Sequence, residues 1–207
     1  MARDTLNELL QEELRDIYDA EKQLTKALPK LAKKAGSDDL KEAFEEHLRQ
    51  TEHHVERLEQ IFEEMGMPAR GKKCKGMQNL IAEGEEAIDD AEEQPACDAV
   101  MIEAAQKVEH YEIATYGTLR TWATLLGKRN IASLLEDTLE EEKETDQRLT
   151  EIAETSVNQI AAGERGATAS ATAGRGAGRR VTTARGARPL AAERSRSSGR
   201  RPAPRRR

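Results

Sequence analysis

The sequence predicts an all-α protein built as an antiparallel four-helix bundle with one long crossover. Three observations predict it. Apolar residues recur at spacings of three, four and seven over four long stretches, the periodicity of one buried helix face. Aromatic residues make up only 3% of the 207 residues and charged ones 35%, which argues against a β-sandwich or barrel, whose strands favour aromatic and β-branched side chains. The interval between the second and third stretches leaves room for a short helix of its own.

The elements follow in order. Thr5 and Glu8 form a capping box that starts the first helix, each side chain satisfying a free amide at the helix start. Its stripe runs through Leu10, Leu14, Ile17, Leu24, Leu28 and Leu31. Pro29 should kink it or loosen one turn, and Gly36 supplies a stop. Ser37 caps the second helix, whose stripe is Leu40, Phe44, His47, Thr51, His54 and Leu58, with Gly66 and Pro68 ending it. A basic loop from Ala69 to Gly76 and a short amphipathic piece from Met77 to about Glu92 make the crossover. Pro95 suits the first turn of the third long helix, with Ile102, Ala105, Glu109, Glu112, Tyr116 and Leu119 on its stripe and Gly127 as its stop. The fourth starts near Asn130, carries Leu135, Thr138, Glu142, Leu149 and Ile152, and fades near Ala162. Tight turns join helices one to two and three to four, so each pair is a hairpin. Two hairpins with one long crossover make the ferritin-like form of the bundle.

The charge is divided between two segments. From Gly163 to Arg207 there are 13 Arg and two acids, a balance of +11; residues 1–162 hold 20 basic and 37 acidic residues, a balance of −17. The tail of Ala, Gly, Arg, Ser, Thr and Pro has too little apolar surface to offset chain entropy and reads as disordered. Its arginines could contact nucleic acid phosphates in a salt-sensitive way, and an unselected extension is the plain alternative. No stretch reaches the ~18 uncharged apolar residues of a membrane span. The start Met-Ala-Arg-Asp shows no apolar signal core, so the expected compartment is the cytoplasm. Cys74 and Cys97 lie in no metal spacing and are given no role.

The polar residues inside the stripes carry the chemistry. Glu21 stands on the first helix, His47, Thr51 and His54 on the second, Glu109 and Glu112 on the third, and Glu142 with Asp146 on the fourth. The helix midpoints fall near residues 20, 51, 111 and 145. At ~1.5 Å per residue, all these groups lie within about one turn of the midplane. A buried carboxylate is costly unless it is paired or binds a metal. Carboxylates and imidazoles at one level of a ferritin-like bundle are where dinuclear Fe or Mn sites are built, and oxygen and nitrogen donors suit those metals. The alternative is a metal-free polar network in which carboxylates share protons or pair with His47, His54 and Lys107. Runs such as Glu140–Glu144 read as a solvated face with only Glu142 inside. His53 should face solvent, His110 is a partner candidate for Glu109, and Tyr18, Tyr111 and Tyr116 read as amphipathic core residues.

Longer strings carry a resemblance. Asp19-Ala-Glu-Lys-Gln-Leu24, Ala105-Gln-Lys-Val-Glu-His-Tyr-Glu-Ile-Ala114, Tyr116-Gly-Thr-Leu-Arg120 and Leu139-Glu-Glu-Glu-Lys-Glu-Thr-Asp146 resemble the YciE/YciF-type ferritin-like proteins of bacteria over about residues 3–160. The resemblance implies a rubrerythrin-like bundle, often a homodimer, linked to stress responses. The sequence departs from the ferritin and rubrerythrin ligand pattern at Thr51 and Thr145. Two function classes stand open. One is a metal-dependent stress protein of peroxidase or ferroxidase type. There Glu21, His54, Glu109, Glu112 and Glu142 would bind a dinuclear Fe or Mn centre, and His47 and Asp146 would be further ligands or partners of the ligands. The other is a metal-free, homodimeric stress or scaffold bundle whose basic tail associates with nucleic acid.

Overall fold

The computed structural model describes residues 5–163. Its helices are α1 (Leu6–Lys34), α2 (Asp38–Glu64), α3 (Lys75–Asp90), α4 (Gln94–Leu125) and α5 (Arg129–Ile152); a π-helical turn (Ala153–Val157) and a short α6 (Asn158–Ala161) follow. The architecture is the all-α, ferritin-like four-helix bundle. α1 packs on α2 and α4 on α5, the α2–α5 and α1–α4 faces close the bundle, and α3 lies mainly on α4. The Arg-rich tail expected from residue 163 falls, beyond Gly163, outside the described residues. Among the described residues, no helix is long and apolar enough to cross a membrane.

Local chemistry sets the ends. Thr5 and Glu8 make the reciprocal capping box at α1, and Ser37 Oγ accepts from Leu40 N at α2. Gly66 and Gly127 adopt φ of 65° and 71°. The next amides reach back, Met67 N to Phe62 O and Lys128 N to Ala123 O, both at 2.9 Å. This closes the last carbonyls of α2 and α4 in the left-handed way that glycine permits at lowest cost. Gly36 works differently from the expected stop. The α1 cap is Ala35 in an extended conformation, and Asp98 of α4 accepts from Gly36 N at 2.8 Å and Ser37 N at 2.9 Å. The α1–α2 turn is thus tied to the start of α4. Pro29 leaves the helical run of α1 unbroken.

Leu10, Leu14, Ile17, Leu40, Leu58, Ile61, Phe62, Met101, Leu119 and Leu135 fill the bundle interior on either side of the polar midplane. Cys74 caps α3, with Sγ accepting from Met77 N and lying 3.1 Å from Tyr111 Oη.

Candidate metal centre

The midplane holds two overlapping groups of buried ligand-type residues. His47, Glu109, Glu112 and Glu142 form one; Glu21, His54 and Glu142 form the other. In each group one donor atom per residue lies within 4.8 Å of the others, and Glu142 belongs to both. Six of the seven residues marked in the sequence therefore meet. They come from four helices: Glu21 from α1, both histidines from α2, Glu109 and Glu112 from α4, and Glu142 from α5. Asp146 joins neither group, because its carboxylate turns outward to accept from Gln106 Nε2 at 3.1 Å and lies 3.4 Å from His110 Nε2.

Helix periodicity accounts for the placement. His47 and His54 are seven residues apart, two turns along one face of α2, so each imidazole serves one group. Glu109 and Glu112 are three apart on one face of α4. Thr145 stands where an imidazole would complete a Glu-x-x-His pair with Glu142. Here Thr145 Oγ1 sits 3.4 Å from His47 Nδ1. The imidazole for that side of the centre thus comes from α2 instead of α5, and the threonine contacts it.

The close contacts join opposite charges. His47 Nε2 lies 3.2 Å from Glu109 Oε1, and His54 Nδ1 lies 3.0 Å from Glu142 Oε1 and 3.6 Å from Glu21 Oε1. Tyr116 donates its hydroxyl proton to Glu21. Even so, both oxygens of Glu112, one each of Glu21 and Glu109, and Thr51 Oγ1 have no hydrogen-bond partner. A buried carboxylate left unpaired is expensive.

Electrostatics follow from that crowding. Burial raises the Glu112 pKa well above the carboxylate range, reinforced by Glu142, Glu21 and Glu109. Burial also raises Glu21, against the opposing pull of His54. For Glu142 burial is outweighed by His54 and His47, which hold it ionised. Burial opposes a charged His47, yet Glu109 pushes its pKa up to about 9.

Residues that the periodicity did not mark complete the surroundings. Glu141 is not part of a fully solvated run: its side chain is 30% exposed and its Oε2 lies 2.9 Å from His54 Nε2. Arg57 grips Glu141 with two nitrogens, at 2.5 and 2.7 Å, and also donates to Thr138 Oγ1 at 3.0 Å. Burial opposes ionisation of Glu141, but Arg57 and His54 outweigh it and hold its pKa down to about 2. A histidine whose outer nitrogen is bonded to a carboxylate is fixed in orientation and presents its other nitrogen inward. Lys107 takes no part, since it pairs at the surface with Glu83 and Glu103. His53 and His110 are exposed.

The buried carboxylates and imidazoles form a donor set able to chelate metal. Four carboxylates and two imidazoles, all buried, would be neutralised by two divalent charges with both histidines neutral. Oxygen and imidazole donors of this kind suit Fe or Mn, and Glu142 is common to both groups.

Comparison with known proteins agrees with this architecture. Residues 5–162 match the family described as Domain of unknown function (DUF892). Protein YciF of Escherichia coli (strain K12) is 50% identical over 149 residues, covering 72% of this chain and 90% of YciF. The crystal structure of the E. coli stress protein YciF aligns with a TM-score of 0.72 at 47% identity, covering 76% of this chain and 99% of that one. YcfI of Rhodopseudomonas palustris aligns with a TM-score of 0.71 at 41% identity, covering 72% and 97%.

Proposed function

Because the chain belongs to the DUF892 family, the family of the E. coli stress protein YciF, we propose that it is a bacterial stress-response protein whose bundle holds a dinuclear Fe or Mn centre. The carrying observation is the pair of buried ligand groups that share Glu142, with both Glu112 oxygens unpartnered. His47, Glu109 and Glu112 would hold one ion, Glu21 and His54 the other, and Glu142 both. Such a centre, when bound, supplies electrons for the reduction of peroxide or dioxygen.

The chain's own residues prepare the site. Glu141 holds the outer nitrogen of His54, and the Arg57 fork holds Glu141. Tyr116 steadies Glu21 through its hydroxyl. Leucine, isoleucine and phenylalanine side chains above and below the midplane exclude water, which strengthens every charge interaction inside.

The test is elemental analysis of the full chain, purified without added metal and again after anaerobic loading with Fe(II) or Mn(II). About two ions per chain are expected. Glu142→Ala should remove most of the metal, and Glu140→Ala, at an exposed residue paired with Lys143, should remove none. No metal after loading would overturn the proposal. It would favour a metal-free stress bundle, a reading supported by the internal ion pairs His47–Glu109 and His54–Glu142. Homodimer formation and contact of the Arg-rich tail with nucleic acid belong to either reading.

A further inference from the structure

A cavity of about 370 Å³ opens between α1, α3 and α4. Its walls are apolar: Leu24, Leu28 and Leu31 from α1, Ile81 and Ile88 from α3, and Val108 from α4. His47 and Glu109 of the midplane also line it, so the cavity reaches the side of the centre away from His54. At its rim, two ion pairs strap α1 to α3, Lys30–Glu85 at 2.9 Å and Lys34–Asp89 at 2.6 Å. These four side chains are exposed, and ion pairs in water are worth little, so the lysines exchange partners readily.

We propose that this cavity binds a medium-chain aliphatic carboxylate, with its tail directed inward and its headgroup at Lys30 and Lys34. Size sets the chain length. A dry apolar cavity of ~150 Å³ holds benzene, so this one takes roughly 15 non-hydrogen atoms in proportion. The wall chemistry selects an aliphatic body, because leucine, isoleucine and valine offer it no hydrogen bonds. Charge sets the direction. At the inner end the imidazole of His47 is already paired with Glu109, so a carboxylate buried there would lose its water and find no free cation. At the rim it can take the place of Glu85 or Asp89 at the lysines, because exposed pairs of this kind are weak, and its headgroup stays in water. The tail would then end against His47 and Glu109. A role as access to the metal centre rests on the function proposed above; binding itself does not.

Isothermal titration calorimetry of the full chain with decanoate tests the proposal. One decanoate per chain is expected, with butanoate, six methylenes shorter, binding more weakly by roughly a thousandfold or more, since each methylene removed from the wall costs about fourfold. Ala27→Phe and Ala105→Leu, both at lining residues, should each weaken decanoate at least tenfold by filling the space. The pair Lys30→Gln and Lys34→Gln should weaken decanoate about fivefold and leave decanol unchanged. The lysine and chain-length series do not depend on either filling variant folding, and circular dichroism checks that both do. No saturable binding of decanoate, binding indifferent to chain length or to the filled cavity, or equal lysine dependence for decanol would overturn it. Metal analysis of the same samples separates the two proposals. Decanoate bound to a chain that takes up no metal leaves this one standing alone. Two ions per chain without decanoate binding removes it and leaves the centre.

Discussion

Glu141 and Glu142 are adjacent in the chain and differ completely in surroundings. Glu142 is fully buried between both histidines, and Glu141, turned about 100° around the helix, meets Arg57 and the outer nitrogen of His54. Helix periodicity shows that residue 142 faces inward. It cannot show that 141 meets an arginine from another helix, because that depends on how α2 and α5 are rotated against each other. Two predictions belong here. Glu141→Gln should weaken metal binding about 10- to 100-fold without abolishing it, measured by competition with a chromophoric chelator. In the metal-free chain, the lowered Glu141 pKa means that the folded state favours the ionised carboxylate. That stability is present above the usual glutamate value and is lost as pH falls toward about 2. Urea titrations should therefore show wild type losing its advantage over Glu141→Gln between about pH 4.5 and pH 2. An advantage that stays constant through this window would show that the Arg57–Glu141 pair is not what sets it.

The turns decide how the helices meet. Gly127 is legible as a stop because its positive φ closes α4 in the manner of a left-handed cap. Gly36 reads the same way in the sequence, yet its amide and that of Ser37 are taken by Asp98, sixty-odd residues away. Nothing local announces such a contact. Asp98→Ala removes the acceptor for two part-buried amides, so it should lower unfolding free energy by about 1–3 kcal/mol. Chemical denaturation reads this as a lower midpoint at unchanged slope. Gly127→Ala should cost about 1–2 kcal/mol through the left-handed backbone alone. Pro29 tests the converse. It is tolerated inside α1, so Pro29→Ala, which restores a helix amide, should not destabilise the chain.

At the scale of the molecule, metal and stability are linked. Ions that bind only the folded chain raise its stability by ~2.7 kcal/mol at a hundredfold excess over Kd, so a chelator should lower Tm in wild type and leave Glu142→Ala unmoved. An identical chelator response in both would break the link. A homodimer would show twice the 23.0 kDa chain mass in light scattering. Tail contact with nucleic acid would weaken steeply with added salt. The helical class, the hairpin pairing, the crossover and the depth of Glu21, His47, His54, Glu109, Glu112 and Glu142 are legible in the order of residues, because a 3.6-residue period and capping chemistry are local properties. The place of Glu142 in both ligand groups, the outward turn of Asp146, the contact of Thr145 with His47, and the backing of His54 by Glu141 and Arg57 emerge from the packed bundle alone. Depth along a helix follows from counting residues, whereas the rotation of one helix against its neighbours is set by the packing of all four.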